Sequence, residues 1–398
     1  TFHLKKAENI SYLYFPIAGE AGLKSSLTPN LGGDAKIDQN TFLLEPVSAE
    51  NLVNNRNSRN FWCNVKGIGS WSLTGNAAEA LSKKFTEMQD DSEVTAGFMW
   101  QKTTRESKKY QLRGEILSFI PVEKNVEVML VTITNTGRMA QTVTPTAAIQ
   151  LYGRSADNIR DHRHVTSLLH RIETTDTGVL VTPTLSFDER GHQVNHMTYY
   201  CVGWSGNGEK PVDFYPTAED FVGEGGNFER PYAIVKKAEG VKAGTRIEGL
   251  EAVGGLHFSE VTLEPEEECS YLIFTGITED IQEIRNLSKT YTTREMVLEE
   301  LEKTKAYWQE KVNVAYHTGD SDFNQFMHWV SFQPILRRIY GCSFLPHHDY
   351  GKGGRGWRDL WQDCLALLIM NPDGVRQMLL DNFAGVRVDG SNATIIGS

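Results

Sequence analysis

The chain has 398 residues, a formal net charge of −11 and 40% hydrophobic residues, the composition of a globular protein long enough to bury a sizeable core. Its acidic balance, with a pI of about 5.5, argues against a general nucleic-acid binder, because no net attraction to phosphate is available. A local basic pocket for one small anion stays compatible with that charge.

The start, Thr1-Phe2-His3-Leu4-Lys5-Lys6, lacks the apolar segment of a signal peptide, and no apolar run approaches the ~20 residues that span a bilayer. A cytoplasmic protein without membrane contact is expected. Position 1 is not Met, which implies that the chain begins inside a longer reading frame. The five cysteines, Cys63, Cys201, Cys269, Cys342 and Cys364, have no metal-ligand spacing and read as free thiols of a reducing compartment. The sequons at Asn9, Asn286 and Asn392 read as chance in the absence of a secretion signal.

Residues 1–280 read as one β domain. Val126–Asn135 alternates with period 2 and stops at Thr136-Gly137. Val179–Thr182, Tyr199–Trp204 and Ser270–Thr275 are further strands, and most of the glycines fall between such runs. Short strands with no helical periods between them predict an antiparallel sandwich and not a parallel sheet. Asn76–Leu81 is a short turn or helix within it.

Near Asp280 the period changes. Ile281, Ile284, Leu287 and Tyr291 recur at helical spacing, and Met296, Leu298, Leu301, Tyr307 and Trp308 follow. Residues 281–313 thus form a helical linker, with Glu299 and Lys303 as an expected i,i+4 pair on its wet face. Residues 314–398 are helical and richer in aromatics. Asp322–Val330 opens one helix, with Pro334 within or near its end. A second helix starts around Trp357 and ends at Asn371-Pro372-Asp373, and a third runs on from Pro372-Asp373-Gly374-Val375.

Chemistry concentrates in residues 346–363, which hold His347, His348, Asp349, Tyr350, Arg355, Trp357, Arg358, Asp359, Trp361, Gln362 and Asp363. In a helix opened by Arg358, one face carries Arg358 and Gln362, the next Asp359 and Asp363, and a third stripe Trp357 and Trp361. Two carboxylates one turn apart repel, so an arginine, a ligand hydroxyl or a metal must offset them. A sugar suits this set: its hydroxyls pair with Asp, Gln and Arg, and its C–H faces pack on indoles. The glycines at 351–356 let backbone approach a ligand. Three other readings compete. The glycine-rich loop as a nucleotide cradle lacks the P-loop spacing. His347-His348-Asp349 as a metal cluster suffers because adjacent histidines point apart. Asp359, Asp363 and Arg358 as a purely structural ion network stays open.

Arg355-Gly356-Trp357-Arg358-Asp359-Leu360-Trp361-Gln362-Asp363 resembles the G-[WY]-R-D-x-x-Q-D motif of glycoside hydrolase family 94, the inverting phosphorylases related to cellobiose and chitobiose phosphorylase. Asp363–Leu368 and Arg387–Gly397 are most similar to the 1,2-β-oligoglucan (sophorose) phosphorylase branch. The resemblance implies a large antiparallel β-sandwich, a helical linker and the start of an (α/α)6 barrel, incomplete in this chain because residues 314–398 are too few for twelve helices. It implies that Arg358 and Asp363 hold the glucosyl unit beside the cleaved bond, supported by Asp359, Trp361 and Gln362, with Trp357 and Arg355 completing the substrate-binding set. The general acid is an Asp beyond residue 398, and this segment alone is expected to be inactive. The implied reaction is phosphorolysis of a β-gluco-oligosaccharide to α-glucose 1-phosphate, with inorganic phosphate as co-substrate, no metal or organic cofactor, and a possible homodimer. An inverting hydrolase on the same scaffold and a noncatalytic carbohydrate-binding protein are the alternatives.

Overall fold

The computed structural model describes residues 1–10, 13–47, 59–160, 163–188, 191–341 and 355–396. Among them an antiparallel sheet of ten strands faces a smaller one built on the strands Arg59–Val65, Gln141–Leu151 and Ala252–His257. A four-stranded antiparallel sheet, Phe15–Ala18 through Thr41–Leu44, lies near the chain start.

The central strand Val126–Asn135 shows how alternation builds two cores at once. It is flanked by Leu112–Phe119 and Glu268–Thr278, and all ten of its residues are buried. Met129, Val131 and Ile133 enter the core between the sheets. Val126, Val128 and Leu130, on the opposite face, pack under the linker helices. The sandwich thus uses one strand's two faces for two separate burials.

A buried ion pair lies in that interior. Glu127 shares the inward parity of Met129 and pairs with Arg59, both nearly inaccessible. Ser25 Oγ donates to Glu127 at 2.6 Å, and Arg59 Nη2 donates to the backbone oxygen of Asp34 at 3.2 Å. A buried pair is tolerated only where its remaining hydrogen-bonding capacity is used, and here side chains and carbonyls of the Ser25 and Asp34 strands use it.

Among the described residues five helices follow: α1 (Ile281–Thr290), α2 (Arg294–Lys311), α3 (Ser321–Tyr340), α4 (Trp357–Met370) and α5 (Val375–Ala384). Asp280 caps α1 and Asp320 caps α3 by accepting from backbone N–H groups. Ile284, Leu287, Tyr291, Val297 and Leu301 sit on the large sheet. The ion pairs on α2 are Lys303–Glu300 at 3.6 Å and Lys305–Glu302 at 2.8 Å. They are i,i+3 pairs, in place of the expected Glu299–Lys303 contact, because Glu300 flanks the buried stripe on the side that Lys303 reaches. Pro334 lies inside α3, where buried Phe332, Ile335 and Leu336 hold the helix through the lost backbone bond. A large antiparallel sandwich followed by helices is the order that the family resemblance implies. Leu365, Leu368 and Ile369 form an exposed apolar stripe on α4.

The helices join the sandwich at the last turn of α3. Arg338 donates to both carboxylate oxygens of Glu20, at 2.9 and 2.6 Å. The Ile339 carbonyl accepts from Lys24 Nζ at 3.0 Å. The buried Tyr340 hydroxyl lies 2.8 Å from the Ile17 carbonyl and 2.6 Å from that of Ser25. Tyr307 of α2 adds a bond to Glu20 at 3.0 Å. Around this turn, Trp308, Phe332, Leu336, Leu360 and Cys364 share one apolar cluster with Ala18 and Met99 of the sandwich.

Glu20 gives the joint a pH dependence. Burial opposes its charge, but the Arg338 hydrogen bonds and charge, with the Tyr307 hydroxyl, outweigh burial and hold its pKa below the ordinary 4.5. A depressed folded pKa contributes stability that is complete above about pH 4.5 and is lost as pH falls through the folded value. Glu20→Gln should therefore cost roughly 1 kcal/mol at neutral pH and flatten the stability curve below pH 4.5. Denaturant midpoints of both proteins from pH 7 to 3 check this; parallel curves would refute it.

Candidate functional site

The site grows from the start of α4. A two-residue strand, Arg355–Gly356, pairs with Ile395–Ile396, and the Trp357 N–H donates to the Thr394 carbonyl at 3.0 Å. The residues after α5 thus fold back onto the N-terminus of α4. Gly356 supplies room there: a Cβ on it would lie 2.6 Å from Asp359 Oδ2, so the Asp359 carboxylate folds against the backbone at the helix start. A negative charge in the first turn also meets the positive end of the helix dipole.

The motif residues then divide by face. Leu360, Cys364 and Leu367 anchor α4 in the joint's apolar cluster. Arg358, Asp359 and Gln362 are exposed. Trp357 and Trp361 meet edge to face, ring centroids 5.5 Å apart, and Trp361 meets Phe383 of α5 at 4.7 Å. Both indole N–H groups are buried and have no hydrogen-bond partner among the described residues, which costs about 1–3 kcal/mol for each orphaned donor.

Asp363 is turned inward, 4% exposed. Its partner is Arg337 of α3, and not its motif neighbour Arg358. Arg337 Nε donates to Oδ1 at 2.8 Å and to Oδ2 at 2.7 Å, and Nη2 also donates to Oδ1. The Arg337 guanidinium pKa is raised, first by the hydrogen bond to Asp363, against burial, and then by the charges of Asp363 and Asp359. The arginine that offsets the two carboxylates therefore comes from the preceding helix.

Arg337 was not a candidate on sequence grounds. Its one signal is the Arg337-Arg338 pair inside an apolar stretch, Phe332–Tyr340, where two adjacent cations call for partners on two sides. Nothing local says which carboxylates answer. The Arg355 side chain, His347, His348, Asp349, Tyr350 and the glycines 351–354 lie outside the described residues. Among the described residues no group of three His, Cys, Asp or Glu side chains is placed to hold a metal, and Cys63, Cys201 and Cys269 are free thiols. No described helix is long and apolar enough to cross a membrane.

What stands at the surface is a donor–acceptor set on one helical turn: a guanidinium, a carboxylate and an amide above a fixed buried carboxylate, flanked by indoles. It can hydrogen-bond vicinal hydroxyls and pack against C–H faces.

A family model described as "Glycosyl hydrolase 94, supersandwich domain" matches residues 46–294. The cyclic beta-(1,2)-glucan synthase NdvB of Rhizobium meliloti (strain 1021) is 27% identical over 203 residues, 48% of this chain and 6% of that protein. A bacterial glucoamylase, solved in complex with acarbose, superposes with a TM-score of 0.54 at 9% identity, over 97% of this chain and 52% of its own. That likeness is one of fold. The chain spans about half the length of the glucoamylase and a small part of the synthase.

Trp361 packs α4 against Phe383 of α5, so Trp361→Ala should cost roughly 2–3 kcal/mol, at or below the low end for a fully buried indole because Trp361 is half-buried. Urea unfolding reads this directly, and a loss under about 1 kcal/mol would mean that the Trp357–Trp361–Phe383 contacts do not hold the two helices together.

Proposed function

The chain belongs to glycosyl hydrolase family 94, whose supersandwich domain it carries, and on that premise we propose that it supplies the glucosyl-binding side of an inverting glycoside phosphorylase. The observation that carries this reading is the polar–aromatic turn of α4 on the helical part of a family 94 chain. Arg358, Asp359 and Gln362 are exposed there, Asp363 is held beneath them, and Trp357 and Trp361 flank the turn.

In the proposed reaction a β-gluco-oligosaccharide is bound with its terminal glucosyl unit against this turn. Arg358 donates to sugar hydroxyls, and Asp359, Gln362 and the unshared lone pairs of Asp363 accept from them. An aspartate C-terminal to this segment protonates the glycosidic oxygen. Inorganic phosphate attacks the anomeric carbon from the opposite face, and α-glucose 1-phosphate leaves with the configuration inverted. Phosphate is already an anion, so it needs no general base, and one catalytic carboxyl suffices. Arg355 belongs to the same binding set. No metal or organic cofactor enters the scheme, the location is cytoplasmic, and a homodimer is the proposed assembly.

A β-1,2 linkage is the proposed specificity, supported by the similarity to a protein named for cyclic β-(1,2)-glucan synthesis. Incubation of the whole protein with phosphate and sophorose, laminaribiose, cellobiose or gentiobiose should release glucose 1-phosphate, fastest from sophorose. Release from another disaccharide keeps the reaction and moves the linkage. Free glucose without glucose 1-phosphate would make the protein a hydrolase, and no product with retained saccharide binding would make it a carbohydrate-binding protein.

A further inference from the structure

Arg337 is absent from the motif, yet it makes three hydrogen bonds to the most buried motif carboxylate. We propose that Arg337 is a positioning residue for the saccharide site, acting through Asp363: it fixes the orientation of that carboxylate so that its remaining lone pairs face one sugar hydroxyl. The inference rests on the phosphorylase reading for the identity of the ligand, and on geometry alone for the pairing.

Three facts support it. First, the contact engages both carboxylate oxygens. A carboxylate held by one donor can rotate about its Cβ–Cγ bond, whereas the guanidinium fork engages both oxygens and removes that freedom. Ordering the acceptor before the ligand arrives lowers the entropy lost on binding. Second, the fork is not saturated. Arg337 uses Nε and Nη2, and a carboxylate has about four acceptor sites, so Oδ2 keeps capacity for one further donor. Third, Arg337 is itself held in place. It heads the run Arg337–Tyr340, in which Arg338 binds Glu20, the Ile339 carbonyl binds Lys24 and the Tyr340 hydroxyl meets two sandwich carbonyls. The sandwich therefore fixes the turn that fixes Asp363.

The test is a double-mutant cycle in the whole protein, using Arg337→Met, Asp363→Asn and the double variant, with Arg337→Lys as a second probe that keeps the charge and loses the fork. Readouts are kcat and KM for glucose 1-phosphate release and, separately, sophorose affinity by calorimetry, each corrected for the folded fraction. Expected is a roughly 10- to 100-fold fall in kcat/KM for Arg337→Met, carried mainly by KM. Arg337→Lys should recover stability and only part of the KM. In the Asp363→Asn background, Arg337→Met should add less than about two-fold, since residues acting through one group are non-additive. Additive losses, or wild-type kcat/KM in folded Arg337→Lys and Arg337→Met, would overturn the role. If the wild-type protein bound sophorose and released no glucose 1-phosphate, the phosphorylase reading would fail alone, and the cycle would be judged on affinity by the same criterion. No saccharide binding by the wild-type protein would overturn both.

Discussion

The last turn of α3 is the constraint on which the rest of the molecule depends. Four consecutive residues there reach partners in two directions: Arg337 towards α4, and Arg338, Ile339 and Tyr340 towards the strands Phe15–Ala18 and Lys24–Leu27 and the loop between them. A helix end ordinarily leaves carbonyls unsatisfied and frays. This one is capped from outside by a lysine and pinned by a tyrosine hydroxyl, so the helix direction is set by the sandwich. The apolar cluster around Trp308, Phe332 and Leu360 supplies the burial, and the polar contacts choose one docking angle among the many that burial would accept.

The same division of labour runs through the sandwich. Alternation along Val126–Asn135 provides apolar area on two faces, which drives collapse without regard to register. The buried Arg59–Glu127 pair adds a condition that only one arrangement satisfies, because a strand slip by one residue would leave both charges without partners. That pair also touches Ser25, whose backbone carbonyl meets Tyr340. The interior charge of the sandwich and the helical joint are therefore one connected network.

At the candidate site the physics is charge compensation. Asp359 and Asp363 stand one turn apart, and the protein separates their environments: Asp359 stays in water at the positive end of α4, and Asp363 goes inside against a guanidinium. An exposed carboxylate can exchange water for a ligand hydroxyl at small cost. A buried and oriented one can be specific about where that hydroxyl lies. The indoles beside them keep α4 and α5 in contact through Trp361 and Phe383.

The sequence by itself determined the order of the large parts, a β region followed by helices, and missed the short helices Ala218–Val222 and Tyr232–Lys236 within the β region. Strand-like runs up to the end of the β region and period 3.6 from Asp280 separate strand from helix, because these patterns are local and need no information from elsewhere. The motif was legible for the same reason, since residues 355–363 are contiguous, and the family they resemble is the one to which the chain belongs. Only the tertiary structure decided which motif residues face inward and what neutralises them. Arg358 adjoins the carboxylates in sequence and points to solvent, whereas Arg337, 26 residues from Asp363, is the ion partner. Even the short-range pairs of α2 fell at i,i+3 where i,i+4 was expected, because burial of one stripe selects which side chains share the wet face. Partners drawn from different elements depend on how helices dock, and docking is set by the Glu20, Lys24 and Tyr340 contacts, which no local period encodes.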